Sequence, residues 1–275
     1  FFSLSIGFAI MVTYSSYLAK KSDITNNAFI TGFANSGFEL LAGIGVFSIL
    51  GFMAMQQGVG VDEVVSGGVG LAFVVFPQII NQLPALNGLF GFLFFASLVL
   101  AGLTSLISIV ETFVAGVQEK FNVSRTKSVL FGGGLAAIIS ILFSSKGGLY
   151  FLDVVDYFIN NFGVALAGLV EVIAIAWIAR QLGSLQEHAN GISDIKLGLW
   201  WKICLAVITP VVLGYMMYDN IRTNIAENYG GYETWFVSVY GWVVVVAAII
   251  VGIAFSLVKN KTSNIQASDA KEVSQ

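Results

Sequence analysis

Long apolar stretches separated by short polar connections dominate the hydrophobic pattern of the chain. About 20 apolar helical residues cross the roughly 30 Å hydrocarbon core of a bilayer, and seven stretches reach or approach that length. They lie at about 1–19, 28–58, 88–118, 127–145, 150–181, 197–218 and 232–258. The pattern predicts an all-α, polytopic membrane protein whose transmembrane region spans 1–258.

The connections between these segments differ in character. Residues 59–87 are apolar but interrupted by several glycines and by Pro77 and Pro84, which predicts a folded loop resting on the protein rather than a simple span. The segment 182–196 and the tail 259–275 are polar. They are expected to be aqueous connections.

Basic residues near the span ends predict the orientation, because Lys and Arg favour the cytoplasmic side. With seven spans, 11 of the 13 Lys and Arg residues fall on one side, and only Lys146 and Arg222 fall on the other. This split places 20–27, 119–126, 182–196 and the C-terminal tail in the cytoplasm. It places the loop 59–87 outside.

Composition excludes several other classes of protein. Hydrophobic residues make up 57% of the chain, charged residues 11%, and the mean hydropathy is +0.85, far from the soluble average. A net charge of −3 provides no basic surface for nucleic acid. Cys204 is the single cysteine, so no intrachain disulfide is expected. The chain opens on Phe1 without a basic signal-peptide region, and it reads as part of a longer protein.

Small polar residues within the first apolar segment mark a candidate site. Ser3, Ser5 and Gly7 lie within five residues, and together they weaken a helix while offering hydroxyl and backbone oxygens. Broken helices of this kind bind ligands near the midplane of transporters. The alternative is close helix packing through small residues.

Two later spans carry further oxygen ligands. Asn35 and Glu39 are four residues apart and share a helix face; an amide oxygen suits a small hard cation, but Asn35 could instead bond to a neighbouring helix. Ala101, Thr104 and Ser105 also share a face. One carbonyl and two hydroxyls would form a partial cage for Na⁺, although such hydroxyls also bond back to their own helix.

Other acidic residues have several interpretations. Glu111 lies within a span and needs a partner, whereas Glu119 at the cytoplasmic end could simply be solvated. Asp153 and Asp156 lie near the outer start of the fifth segment, where capping of the helix is the default role for Asp153. No phosphate-binding loop, His/Cys metal spacing or catalytic triad is visible, so neither an enzyme nor a cofactor is expected.

Three motifs together resemble the neurotransmitter:sodium symporter family, in particular its bacterial members. They are Phe-Phe-Ser-Leu-Ser-Ile-Gly-Phe at 1–8, Ala-Asn-Ser at 34–36 and Ala-Gly-Leu-Thr-Ser at 101–105. The resemblance covers the chain except the polar tail and runs from the middle of the family's sixth helix through its twelfth. It implies a partial inverted-repeat fold comprising most of the second repeat and two C-terminal helices. Segment 1–19 would then be an unwound stretch and the inner half of a broken helix.

The resemblance also implies roles for individual residues. Ser3 and Asn35 resemble ligands of a first sodium site, and Ala101, Thr104 and Ser105 resemble those of a second. The residues that resemble the substrate pocket are Phe2, Ser3, Ser5, Phe8, Ser105 and Ile109. The remaining ligands would come from N-terminal helices of the same protein.

Gating roles follow from the same resemblance. Asp156 resembles the acid of the outer gate and Glu119 that of the cytoplasmic gate, while Tyr17 and Glu111 resemble an inner polar network. Glu39 replaces a chloride-binding Ser of animal relatives, which implies chloride independence.

The expected function is therefore sodium-coupled symport of an amino acid or related small amine across a bacterial plasma membrane. A proton-coupled permease of the same architecture, or a sodium channel or non-transporting subunit, remains the alternative.

Overall fold

The computed structural model describes residues 4–64 and 70–258, and within them every regular element is helical. Six helices are long and apolar enough to cross a membrane. They are α2 (Ile24–Gln57), α5 (Asn87–Phe121), α6 (Arg125–Phe143), α7 (Gly148–Ile178), α9 (Leu199–Gly231) and α10 (Thr234–Leu257). The shorter helices are α1 (Ile10–Ser15), α3 (Val61–Val64), α4 (Leu71–Asn81) and α8 (Leu182–Ile192).

This architecture confirms the expected all-α, polytopic membrane protein. Many large apolar side chains on the long helices face outward, including Leu41 at 71% and Phe92 at 69% exposure. A soluble protein would bury most such side chains. In lipid they need no covering, because the hydrocarbon is itself apolar.

The segment before α1 is not helical. Residues 4–9 form turns, in which Ser5, Gly7 and Ala9 have φ values of 54°, 84° and 56°. Positive φ is costly for Ser and Ala because their Cβ crowds the backbone. Helix α1 then covers only six residues, so the described part of the predicted segment 1–19, residues 4–19, contains turns and a short helix instead of a continuous span.

The chain divides into two compact units. One comprises residues 1–26 and 108–275, and the other comprises 27–107. We call them the outer-sequence unit and the inner-sequence unit, from their positions along the chain.

In the inner-sequence unit, α4 packs against its neighbours through apolar side chains. Val75 joins Leu50 and Met53 of α2 in a buried cluster. On another side of α4, the ring of Phe76 stacks on Phe94 of α5 with centroids 4.6 Å apart. The described parts of the predicted loop 59–87 are therefore largely helical and folded onto α2 and α5. Gly58 follows the end of α2 and Pro84 lies after the end of α4, whereas Pro77 lies within α4.

The core of the outer-sequence unit lies between α7 and α10. Val154, Phe158 and Phe162 are spaced four residues apart on α7 and are almost fully buried, together with Val237 of α10. Gly241 allows this approach, because a Cβ at that position would lie 2.7 Å from the Phe158 ring. The close packing fixes the start of α10 beside the middle of α7.

One predicted polar connection has regular structure. Residues 182–196 contain the helix α8, whose buried positions are Leu182 and Ala189. A spacing of seven residues returns to the same helical face after about two turns. The polar composition of the segment had concealed this amphipathic pattern.

Candidate functional site

Ser5 and Phe8 of the predicted pocket lie in the turn before α1, where both are half-buried. The left-handed backbone at Ser5 and Gly7 turns successive peptide groups away from helical hydrogen bonding. Such freed carbonyls and hydroxyls are the groups by which broken helices bind ligands. Phe2 and Ser3, the other predicted residues of this stretch, lie outside the described residues.

One turn of α5 brings two oxygen atoms together, the carbonyl oxygen of Ala101 and the hydroxyl oxygen of Thr104. The Oγ1 of Thr104 donates a hydrogen bond to the carbonyl oxygen of Ala101 at 2.9 Å. Ser105 follows directly on the same helix, and Ile109 lies about one turn further along. The alternative interpretation of Thr104, a hydroxyl that bonds to its own helix, predicts this hydrogen bond. It keeps two neutral oxygens together, and the hydroxyl retains lone pairs for a cation.

Asn35 and Glu39 are also brought together, on α2. The Nδ2 of Asn35 donates to Oε1 of Glu39 at 3.0 Å, across one helical turn. The amide oxygen of Asn35 is then the atom that can coordinate a cation, with a carboxylate one turn away. The pair combines a neutral hard ligand with a nearby negative charge.

Glu111 lies in the second half of α5 and forms a polar cluster with Arg125 and Tyr17. Its carboxylate accepts two hydrogen bonds from the guanidinium of Arg125, at 2.9 and 2.5 Å, and one from the hydroxyl of Tyr17 at 2.9 Å. The Glu111 side chain is only 14% exposed, against 62% for Arg125. A carboxylate so placed requires this pairing, since leaving it unpaired would cost its full desolvation energy.

Helix α1 lies alongside α5 through the same region. The hydroxyl of Tyr14 is 2.7 Å from that of Ser108, and Tyr17 bonds to Glu111. Both pairs are separated by 94 residues, so the two segments run in the same direction. The sequence indicated Tyr17 and Glu111 but missed Arg125, which had been counted only as a basic residue. A carboxylate in an apolar helix was the signal that a nearby cation should be sought.

Glu119, the predicted cytoplasmic gate acid, lies exposed in the last turn of α5. Its neighbour Lys120 donates to the carbonyl oxygen of Ser256 near the end of α10. The ends of α5 and α10 therefore meet, at the end of α5 that carries the Glu111 cluster.

A second contact cluster joins the start of α2, with Asp23 directly before it, to the connection after α8. Asp23 caps α2 by accepting a hydrogen bond from the backbone N–H of Asn26 at 3.0 Å. Three further hydrogen bonds join these two regions, namely Thr25 N to Ser193 Oγ, Asp194 N to Asp23 Oδ2 and Ile195 N to Asn26 Oδ1.

The ionisation of Asp23 depends on this cluster. Partial burial raises the pKa of its carboxyl, but the hydrogen bonds from Asn26, Ser193 and Asp194 outweigh burial and hold the pKa below its ordinary value. The carboxylate is thus charged at neutral pH. Because the folded-state pKa is lowered, its stabilising contribution is present above the ordinary aspartate pKa and is lost as the pH falls through the lowered value.

Asp156, the predicted outer gate acid, is exposed on α7 and accepts a hydrogen bond from Nδ2 of Asn160 at 2.9 Å. Asp153 has a different environment from the one expected. Its carboxylate accepts hydrogen bonds from the hydroxyls of Tyr229 at 3.1 Å and Tyr232 at 2.9 Å. The capping role expected for Asp153 is therefore wrong, because α7 begins at Gly148, five residues earlier.

Comparison with known proteins identifies the family to which the chain belongs. The profile of the sodium:neurotransmitter symporter family matches residues 1–263. An uncharacterized sodium-dependent transporter of Methanocaldococcus jannaschii is 41% identical over 259 residues, which cover 94% of this chain and 52% of the relative.

Two vertebrate relatives match nearly the same share of the chain. The human sodium- and chloride-dependent neutral and basic amino acid transporter B(0+) is 31% identical over 91% of this chain and 40% of its own length. The sodium- and chloride-dependent glycine transporter 2 of Xenopus laevis is 29% identical over 91% of this chain and 32% of its own length. The chain spans about half the length of the archaeal relative and less of the others. The family match over almost the whole chain shows that the protein is a multi-pass membrane protein of the sodium:neurotransmitter symporter family, whose members are transporters.

Proposed function

We propose that the full-length protein is a symporter that couples uptake of an amino acid or related small amine to Na⁺ by alternating access. The observation that carries this proposal is the oxygen pair on α5, where the Thr104 hydroxyl and the Ala101 carbonyl lie 2.9 Å apart within an apolar helix. Neutral oxygens on a membrane helix suit a small hard cation that must bind and then leave. The sodium-dependent relatives support the same ion.

The proposed second sodium site consists of Ala101, Thr104 and Ser105, and the first of Ser3 and Asn35. The proposed substrate pocket contains Phe2, Ser3, Ser5, Phe8, Ser105 and Ile109. Both sites would be completed by N-terminal helices of the same protein, since the chain spans about half the length of the archaeal relative. Apolar walls at Phe8 and Ile109 would select the substrate side chain by volume.

We propose that Glu39 makes transport independent of chloride. Its carboxylate lies within hydrogen-bond distance of the Asn35 amide, so it would supply the negative charge that balances a cation bound to the Asn35 oxygen. The two vertebrate relatives, in contrast, are named as chloride-dependent.

The proposed gates lie at the two ends of the spans. Asp156 would act at the outer end, and Glu119 with the Tyr17–Glu111–Arg125 cluster would act at the cytoplasmic end. The bidentate pair between Arg125 and Glu111 supports this assignment, because it joins the first residue of α6 to the second half of α5. The membrane proposed is a bacterial plasma membrane, with the C-terminus in the cytoplasm.

Uptake by the full-length protein in proteoliposomes tests the proposal. Radiolabelled amino acids are offered with an inward Na⁺ gradient, and Na⁺ is then replaced by choline at constant pH. We expect uptake to need Na⁺ and the flux of ²²Na⁺ to rise in fixed proportion to substrate. Uptake driven by a proton gradient in choline would favour the proton-coupled permease, and ²²Na⁺ flux without substrate would favour a channel.

A further inference from the structure

Aromatic side chains surround a cavity of about 350 Å³ where α7 and α10 begin. Its lining consists of Tyr150, Tyr232, Glu233, Trp235 and Phe236. Tyr150 is the third residue of α7 and Trp235 is the second of α10, so the cavity lies at the end of the spans. Both side chains remain about 60% exposed, at 60% and 59%. The cavity is therefore open at the protein surface, where a ligand can enter it.

The chemistry of this lining favours a cation. The faces of Tyr and Trp rings carry negative charge density and attract ammonium groups, and Glu233 contributes a carboxylate. Asp153 lies just behind the cavity, where it accepts a hydrogen bond from the Tyr232 hydroxyl. Two carboxylates and several ring faces would disfavour a headgroup of net negative charge.

The rings are held in place before any ligand arrives. Tyr232 is fixed by Asp153, and the indole N–H of Trp235 donates to the Glu233 carboxylate. Tyr150 and Tyr232 meet edge to face with centroids 6.1 Å apart. A carboxylate has two oxygens and about four acceptor positions, so Glu233 can bind an ammonium group while it holds Trp235. Such preorganisation reduces the entropy lost on binding.

A second cavity of about 250 Å³ adjoins the first, and Phe236 lines both. Its other lining residues are Leu142, Ser145, Gly147, Phe151 and Tyr240. Tyr240 lies about one turn further into α10 than Phe236, and Leu142 lies one residue before the end of α6. The second cavity is thus mainly apolar and extends toward the membrane interior.

We propose that the two cavities form one binding site for a zwitterionic phospholipid with an ammonium headgroup. The headgroup ammonium occupies the aromatic cavity beside Glu233, and the upper part of an acyl chain lies along Phe151, Phe236 and Tyr240. A soluble amine would fill only the first cavity, whereas a lipid fills both. The adjoining apolar cavity is the reason for choosing a lipid as the occupant.

Native mass spectrometry of the full-length protein in detergent tests this site. The protein is titrated with phosphatidylethanolamine and, in parallel, with phosphatidylglycerol of identical acyl chains. We expect phosphatidylethanolamine to bind about tenfold more tightly, which corresponds to one charged contact. Equal binding of the two lipids, or tighter binding of the anionic one, would overturn the proposal.

Matched variants locate the binding. Glu233→Gln keeps the side-chain shape and an acceptor for Trp235 but removes the charge, so it should abolish the preference for phosphatidylethanolamine. Glu227→Gln makes the same charge change at an exposed position six residues earlier, and it should leave the preference intact. Tyr150→Leu, at a largely exposed ring, should also weaken the preference. An unchanged preference in both cavity variants would contradict the site.

Free ethanolamine distinguishes a lipid site from a soluble-amine site. It carries the same ammonium group without acyl chains, so we expect it to displace phosphatidylethanolamine only at concentrations at least about a hundredfold higher, since it loses the acyl-chain contacts. Displacement at equal concentrations would show that the apolar cavity contributes nothing, and the lipid assignment would fail.

Discussion

At the scale of single residues, Thr104 and Ser105 offer the most direct test of the proposed sodium site. Each supplies one hydroxyl to the proposed cage on α5, so Thr104→Ala or Ser105→Ala should raise the Na⁺ concentration needed for half-maximal uptake. If a hydroxyl ligand contributes about 1.4 kcal/mol, the shift is about tenfold. The measurement is initial uptake rate against Na⁺ concentration in proteoliposomes.

Thr112 provides a matched control on the same helix. Its Oγ1 donates to the carbonyl of Ser108 at 3.0 Å, the same type of back-bond that Thr104 makes to Ala101. Thr112→Ala should therefore reproduce any effect of losing such a bond without changing the Na⁺ requirement. If the Na⁺ concentration for half-maximal uptake rises equally in the Thr104 and Thr112 variants, Thr104 is not a sodium ligand.

Glu39 carries a second prediction at this scale. Replacing its carboxylate by a hydroxyl removes the fixed negative charge one turn from Asn35, so Glu39→Ser should make uptake respond to external chloride. Wild-type uptake should be the same in chloride and in gluconate. Glu39→Asp is the control, because it keeps the charge and should remain indifferent to chloride. A wild-type protein that requires chloride would contradict the role proposed for Glu39.

At the scale of elements, the ion pair between Glu111 and Arg125 holds α5 against α6. The two helices are separated by only three residues, 122–124, and Asn122 adopts a φ of 52° in that turn. The bidentate pair fixes the angle at which α6 leaves the turn. Close apolar packing adds to this charged contact, since a Cβ at Gly132 of α6 would lie 2.3 Å from the Phe113 ring of α5.

Removal of one partner of this pair should lower the melting temperature more than removal of both partners. Arg125→Ala leaves the carboxylate of Glu111, which is 14% exposed, with Tyr17 as its remaining side-chain partner among the residues that the structure describes. The double variant Glu111→Gln with Arg125→Ala removes the stranded charge and should recover part of the lost thermal stability. The measurement is the melting temperature of the purified full-length protein, compared in a double-mutant cycle.

Lys127 is the control for this cycle, since it is an exposed cation two residues further along α6. Lys127→Ala should leave the melting temperature nearly unchanged and should show no coupling to Glu111→Gln. Additive effects of the Glu111 and Arg125 substitutions would mean that the observed contact does not stabilise the protein.

At the scale of the whole molecule, contacts between distant connections bear on how the chain crosses the membrane. The residues before α2 bond to those after α8, and Lys120 bonds near the end of α10. Asp153 near the start of α7 bonds to Tyr229 and Tyr232 before α10. Contacting connections must lie on the same side of a bilayer. The pairings group the connections by side, and we propose that the side carrying Lys120 is the cytoplasmic one.

Cysteine labelling in whole cells tests the orientation. In a Cys204→Ser background, which removes the single cysteine of the chain, Lys146→Cys should react with a membrane-impermeant maleimide from outside. Glu187→Cys on α8 should react only after the membrane is permeabilised. Reaction of Glu187→Cys in intact cells, with Lys146→Cys protected, would reverse the proposed topology.

The sequence by itself determined the class of the protein and the approximate positions of its spans. Each of the six full-length predicted segments overlaps one of the six long helices of the structure, because span length and apolar content are local properties. The break near the N-terminus was equally local. Two serines and a glycine predicted it, and the backbone there is left-handed at Ser5 and Gly7.

Only the tertiary structure decided which polar groups pair. Glu111 pairs with Arg125, 14 residues away, and Asp153 pairs with Tyr229 and Tyr232, 76 and 79 residues away. At the start of α2, the backbone N–H of Thr25 bonds to Ser193, 168 residues away. No periodic pattern encodes such pairs, because they depend on how the helices pack. At Glu111 and at the N–H of Thr25, which are largely buried, the pairing is strongly favoured, since a desolvated carboxylate or N–H without a partner is costly. Composition and spacing therefore specified the helices, whereas long-range packing selected the contacts among them.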